Sequence, residues 1–180
     1  MDVRPTSIPD VLLIRPNVFE DVRGFFKETW QEERYEELGV TAHFVQDNYS
    51  RSQKGTLRGL HYQLEHSQGK LVQVFRGQIF DVAVDLRKSS PTFGKWTSAI
   101  LTESNHLQLY IPPGFAHGFY VLSELAEFSY KCSDYYFPEH ERTLLWNDPT
   151  LDIEWPITEG PLLSGKDQNG KPFGEIDYYE

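Results

Sequence analysis

Between Gln78 and Leu86 the residues alternate strictly, with Phe80, Val82, Val84 and Leu86 on one side and Ile79, Asp81, Ala83 and Asp85 on the other. A period of two belongs to a β-strand, whose successive side chains point to opposite faces; a helix, with a period of 3.6, does not carry it. Similar short runs are read at 43–48, 57–64, 70–76, 95–101, 106–111, 117–122 and 126–133, separated by Gly, Pro, Ser or Asn. Many short strands with such punctuation predict an all-β sandwich or barrel. One helix is expected, with Thr29 as its cap, Glu32 completing a Thr-x-x-Glu box, Leu38 at its end and Gly39 as the stop. Beyond Pro138 proline and glycine are frequent. The stretch SGKDQNGKPFGE, residues 164–175, reads as loop lying over the barrel, so residues 1–180 are expected to form one domain.

Composition narrows the classes of function. Apolar residues make up 39% of the chain, with 12 Phe, 10 Tyr and 4 Trp, and no apolar run approaches the roughly 20 residues of a membrane span. The opening MDVRPTSIPD lacks the basic and then apolar pattern of a secretory signal, so the expected location is the cytoplasm and the Asn48-Tyr49-Ser50 triplet is not read as a glycosylation site. Cys132, the only cysteine, cannot form an internal disulfide or a thiolate metal cluster, and it reads as a small buried hydrophobe. A formal net charge of −10 repels nucleic-acid phosphates. A small anionic ligand is still compatible with it where a few Arg and Lys gather. Neither a Gly-x-Gly-x-x-Gly turn nor a phosphate-loop pattern occurs, so a nucleotide would need another cradle.

Four stretches put polar chemistry where an ordinary barrel core would be apolar. In Arg58-Gly59-Leu60-His61-Tyr62-Gln63, alternation sets His61 on the face of Gly59 and Gln63, and the glycine is read as leaving room for a group to approach the imidazole. A base and a structural histidine are both compatible with this placement. Lys70 shares a face with Val72 and Val74, which is costly unless the amine is used, or unless it snorkels to water from the strand end. Tyr130 shares a face with Ala126, Phe128 and Cys132, as a proton donor or as a core tyrosine. His117 closes a Pro112-x-Gly114-x-x-His117 spacing, which resembles the second half-motif of the cupin barrels. Metal-binding cupins add an earlier His-x-His. Here that position reads His61-Tyr62-Gln63, so the second histidine is missing and no metal is expected.

Together with Asp21-Val22-Arg23-Gly24-Phe25-Phe26-Lys27-Glu28, Gln46-Asp47-Asn48, Gly69-Lys70-Leu71-Val72, Tyr130-Lys131-Cys132 and Leu163-Ser164-Gly165-Lys166-Asp167, these segments cover nearly the whole chain in order. The ordered set resembles the dTDP-4-dehydrorhamnose 3,5-epimerase family, a metal-free branch of the cupins. The resemblance implies a double-stranded β-helix, that is, a cupin jelly-roll barrel with a few short helices, acting without a cofactor. It implies a dTDP-linked 4-keto-6-deoxyhexose as substrate, epimerised on both sides of the ketone on the route to dTDP-rhamnose. His61 would be the base, oriented by Asp167; Lys70 would stabilise the enolate oxygen; Tyr130 would be the acid on the opposite face. Arg58 and His117 would contact sugar and diphosphate, and Arg23 and Lys166 would add positive charge. Glu28, Gln46, Asp47 and Asn48 would hydrogen-bond the nucleotide end, Tyr136 would stack on thymine, and Glu141 falls at a family binding position. A homodimer with exchanged N-terminal strands is also implied, so that Arg23 and Glu28 complete the second copy's site.

Three other readings compete with this one: a relative that inverts one carbon, a metal cupin such as a dioxygenase, and a non-catalytic sugar-binding jelly roll. The last needs neither an inward base nor an inward acid, and the missing His-x-His counts against the metal enzyme.

Overall fold

A computed structural model describes residues 1–180. The strands are β1 Asp2–Pro5, β2 Leu12–Arg15, β3 Val18–Asp21, β4 Gly24–Lys27, β5 Gln46–Gln53, β6 Leu57–Gln63, β7 Lys70–Arg76, β8 Gln78–Asp85, β9 Trp96–Thr102, β10 Gln108–Ile111, β11 Phe115–Val121, β12 Leu125–Cys132 and β13 Glu141–Thr143. Two short helices, α1 Glu32–Glu36 and α2 Gly165–Gln168, and single 3₁₀ turns at Pro138–His140 and Phe173–Glu175 complete the structure. No helix is long and apolar enough to cross a membrane.

Six strands pair in the order β1-β2-β10-β7-β12-β5 and five in the order β13-β6-β11-β8-β9, while β3 and β4 form a separate hairpin. From β5 to β8 and again from β9 to β13, each connection carries the chain from one sheet to the other. This interleaving makes the fold an all-β jelly-roll barrel. Its core lies between the sheets. Val72, Val74, Leu109, Ile111, Ala126 and Phe128 come from the six-stranded sheet, and Ile79, Ala83, Leu101, Phe115, Phe119 and Val121 from the five-stranded one.

Both faces of β8 are buried, for different reasons. Ile79 and Ala83 look into the barrel, whereas Val82, Val84 and Leu86 form a second cluster with Leu144, Leu151 and Ile176 of the C-terminal segment. That segment therefore packs on the outside of the five-stranded sheet. A third cluster, built on Ile14, Tyr35, Val40, Leu71 and Tyr110, seats α1 on the outside of the other sheet.

The helix is shorter than the sequence predicts, and its cap is different. Gln31, not Thr29, is the N-cap, its side chain accepting from the Arg34 amide. The Thr29 carbonyl accepts instead from Tyr35 Oη at 3.2 Å and Gln108 Nε2 at 2.8 Å, so tertiary contacts override the capping box. Gly39 does stop the helix. Its φ of +95° lets the Gly39 amide donate to the Glu36 carbonyl and the Val40 amide to the Tyr35 carbonyl, the double closure that favours glycine past a helix end.

Candidate active site

The two sheets part at one end of the barrel around a cavity of about 530 Å³, within the usual range for small-molecule sites. Arg58 and His61 enter it from β6, Lys70 from β7, His117 from β11 and Tyr130 from β12. His61 and His117 belong to the five-stranded sheet, Lys70 and Tyr130 to the six-stranded one. Imidazoles and phenol therefore stand on facing walls.

Strict alternation would point Arg58 and His61, three residues apart, to opposite faces. A bulge reconciles them: His117 pairs with His61 and Phe119 with Arg58, so one extra residue is accommodated in β6. Gly59 sits in this bulge with φ at +126°, and a Cβ there would stand 2.5 Å from Gly118 Cα. The glycine thus makes room for the β11 backbone, not for a group approaching the imidazole.

His61 Nε2 lies 2.6 Å from Asp167 Oδ1. Asp167 is buried at the start of α2, where Ser164 caps the helix, donates its hydroxyl to Asp167 Oδ2 at 2.6 Å and accepts from the Asp167 amide. The Gly59 amide also donates to Oδ1 at 3.3 Å. Burial works to raise the Asp167 pKa, but the hydrogen bonds from His61 and Ser164 prevail and hold it below the ordinary carboxylate value. An ionised Asp167 is an acceptor only, so Nε2 carries the proton and Nδ1 keeps a free lone pair. Burial lowers the His61 pKa, aided by Lys166 and Lys70, against the opposing pull of Asp167. The carboxylate thus orients the ring, while burial keeps it neutral at pH 7.

Lys70 is buried, and no carboxylate comes within ion-pair distance of it, so the snorkelling alternative does not hold. Its Nζ lies 5.9 Å from the centroid of the Tyr130 ring, and burial lowers its pKa. Burial pushes the Tyr130 phenol up to about 12, so it holds its proton at neutral pH. Cys132 is buried, as its sequence reading predicts, and accepts from Asn48 Nδ2 at 3.5 Å.

At the rim, Tyr136 Oη donates to Glu141 Oε2 at 3.0 Å and Lys166 Nζ to Glu141 Oε1 at 2.8 Å; all three residues line the cavity. Gln46 and Asn48 line it from β5. Asp47, between them, points to the other face and pairs with Lys131 Nζ at 2.8 Å, because three consecutive strand residues cannot face one cavity. Arg23 and Glu28 also lie away from the cavity within this chain. Arg23 sits at the tip of the β3–β4 hairpin, paired with Asp21, and Glu28 pairs with Arg34.

One buried pair was not anticipated. His117 Nε2 lies 3.0 Å from each oxygen of Asp81, a second histidine–carboxylate pair on the same wall as the first. The signal was present in Asp81 itself, an acid on the face of β8 that carries Ile79 and Ala83 into the core. Nowhere are three or more His, Cys, Asp or Glu side chains gathered as a metal site would need.

A family model described as dTDP-4-dehydrorhamnose 3,5-epimerase matches residues 5–175. The chain is 56% identical over 174 residues to the dTDP-4-dehydrorhamnose 3,5-epimerase of Pseudomonas aeruginosa, covering 96% of each. It is also similar to the crystal structure of dTDP-6-deoxy-D-glucose-3,5-epimerase from Legionella pneumophila in complex with dTDP-4-keto-L-rhamnose. That likeness has a TM-score of 0.95 and 55% identity, over 98% of this chain and 94% of the other. For dTDP-4-dehydrorhamnose 3,5-epimerase from Bacillus anthracis with TDP and PPi bound, the TM-score is 0.91 at 48% identity, over 95% and 98% of the two chains.

Proposed function

Because the chain belongs to the dTDP-4-dehydrorhamnose 3,5-epimerase family, we propose that it converts dTDP-4-dehydro-6-deoxy-D-glucose to dTDP-4-dehydro-L-rhamnose by inverting C3 and C5. The observation that carries the mechanism is the placement of His61 and Tyr130 on facing sheets, with the buried Lys70 amine beside the phenol. Inversion requires a proton to leave one face of a carbon and another to arrive at the opposite face. A single group on one wall could not serve both.

His61, through Nδ1, takes the proton alpha to the C4 ketone. The electron pair of that C–H bond moves into the enolate, whose negative oxygen is met by an N–H of Lys70. Tyr130 then returns a proton to the carbon from the other wall, and the ketone re-forms. Once His61 has released its proton to solvent and Tyr130 has regained one from it, the same sequence at the second flanking carbon completes the double inversion. Arg58, His117 and Lys166 supply the positive and donor groups for a diphosphate, Gln46 and Asn48 hydrogen-bond the nucleotide end, and Tyr136 stacks on the base with Glu141 steadying its hydroxyl.

The residues held away from the cavity fit a homodimer. The β3–β4 hairpin is isolated from both sheets and exposes Phe19 at 63%, Phe25 at 57% and Phe26 at 70%, an apolar surface that calls for a cover. Strand β5 at the edge of the six-stranded sheet has a free side beside the cavity. Exchange of the hairpin between two copies would cover both and bring Arg23 and Glu28 to the other copy's site. Sedimentation is expected to give twice the chain mass of 21.0 kDa, and Phe26→Asp to shift it towards monomer with weaker substrate binding. A wild-type monomer would dismiss the exchange. The site is read as serving a single 180-residue domain working in the cytoplasm.

Proton NMR of dTDP-4-keto-6-deoxyglucose in D₂O with chelator-treated protein tests the reaction. Deuterium is expected at both positions flanking the ketone; entry at one alone would reassign the chain to single-carbon epimerases, and none at either would remove this substrate. In the same assay Tyr130→Phe should lower net inversion by about 10²-fold, the scale of one general acid, and exchange much less. Equal losses would make the hydroxyl a positioning group.

The pH profile follows from the His61 environment. The base works neutral, so kcat/KM is lost as pH falls through its lowered pKa. The acid limb should therefore lie below the ordinary histidine value of about 6.5, and Asp167→Asn, which removes the group pulling that pKa up, should move the limb lower still. A limb above 6.5 would contradict the assignment of the base.

A further inference from the structure

Gln63 occupies the position where metal-binding cupins carry the second histidine of His-x-His, and its side chain is buried. The amide is fully engaged with main chain on two loops. Its Nε2 donates to the His66 carbonyl at 2.8 Å and to the Tyr135 carbonyl at 3.1 Å, and its Oε1 accepts from the Phe137 amide at 2.7 Å. Two of these three bonds bracket Tyr136. The amide of Tyr136 itself donates to Gln46 Oε1 at 3.1 Å. Three consecutive residues are thus held by two glutamine side chains, and between them the Tyr136 ring, half exposed, is presented to the cavity.

The same loop has further ties. Gln68 Nε2 donates to the Asp134 carbonyl at 2.9 Å, and the His66 ring stacks on Phe137 at 4.2 Å. The His66 ring also meets Asp134 Oδ2 at 3.2 Å, and the His140 amide donates to the Phe137 carbonyl at 3.1 Å. None of these ties holds the two peptide groups that flank Tyr136. An amide differs from any apolar residue of its length in that it offers two donors and an acceptor at once, which is what two carbonyls and one N–H require. Without it the loop keeps its outer ties but loses those that set the backbone on either side of the tyrosine.

We infer that Gln63 is a positioning residue for nucleotide recognition: it clamps the 135–137 backbone so that Tyr136 is preorganised to stack on the base of the bound nucleotide. The inference rests on the proposed role of Tyr136. A preorganised stacking surface avoids the ordering cost on binding, so Gln63 acts on affinity through Tyr136 and not on proton transfer at His61. A position that serves metal chemistry in other cupins here serves substrate grip.

The test is a double-mutant cycle read by calorimetric titration of dTDP into the full-length protein. Wild type is expected to bind. Tyr136→Ala and Gln63→Met should each weaken binding by about tenfold or more, the scale of one lost base–aromatic stack. The double variant should lie within about twofold of Tyr136→Ala alone, since a clamp has nothing left to position. In turnover, the Gln63→Met loss should fall on KM more than on kcat. Affinity of Gln63→Met within about twofold of wild type, additive losses in the double variant, or a loss in kcat alone would each overturn the clamp while leaving the epimerase reading intact. Failure of wild type to bind dTDP would instead remove the nucleotide reading and the inference with it. Should Gln63→Met not fold, Gln63→Glu takes its place under the same criteria, since it keeps the acceptor for the Phe137 amide and loses both donors. If neither folds, Gln63 is a determinant of the fold and the proposed role is overturned.

Discussion

Replacing His61 by alanine should slow deuterium uptake beside the ketone by roughly 10²–10⁴-fold, the range for one positioned general base, while the protein stays folded. The His61 imidazole combines a free lone pair with a buried carboxylate that fixes its tautomer, and it faces Lys70 and Tyr130 across the cavity. Stability should hold because Asp167 keeps other donors once the ring is gone: the Ser164 hydroxyl and the Gly59 amide. Thermal melting checks the fold and NMR the exchange. Retained exchange in a folded His61→Ala protein would refute the role and shift attention to the His117–Asp81 pair, which stands on the same wall.

Lys70→Met should show opposite signs in activity and stability. Loss of the donor aimed at the enolate oxygen is expected to cost about 10²–10³-fold in kcat, as for one oxyanion donor. The same change should raise the unfolding free energy by about 1 kcal/mol, because an unpaired amine gives way to a thioether of similar length. The sign with pH is determined. Burial lowers the folded-state pKa of Lys70 from the ordinary 10.5, so the unfolded chain binds the proton more tightly and the lysine costs stability as pH falls. The advantage of Lys70→Met should therefore fade as pH rises from the lowered folded-state value to about 10.5, and be gone above it, where lysine is neutral in both states. Denaturant melts at pH 7 and pH 11 measure it. If the variant loses stability along with activity, the lysine is a packing element and its burial does not serve the chemistry.

Much of the barrel was legible in the sequence. The runs that became β6, β7, β8, β9 and β12 were read to within a residue or two, because period-two alternation is a local property of the chain. No alternating run marks β1 to β4 or β13, which are three or four residues long, and the N-terminal strands among them are expected only from the family resemblance. For the helix, the capping box at Thr29 was a sound local signal defeated by Tyr35 and Gln108, partners that only packing brings near.

The site divides along the same line. That His61, Lys70 and Tyr130 face the interior followed from alternation, and their attachment to one family followed from the ordered motifs. Asp47 shows the opposite case, where a contiguous motif suggested three ligands and strand geometry permits two.

The sequence by itself determined the all-β class and the inward placement of an imidazole, an amine and a phenol, since each depends on residue type and short spacing, while the family followed from the resemblance of the ordered motifs. Tertiary structure alone decided which of the two faces of β8 looks inward, because both are covered. It also decided that a bulge at Gly59 turns Arg58 to the side of His61, that Asp81 meets His117, and that Gln63 holds the Tyr136 loop. The contact between His61 and Asp167 spans 106 residues. No local period encodes such a distance; it exists only because the C-terminal segment packs back over the sheet that carries the histidine.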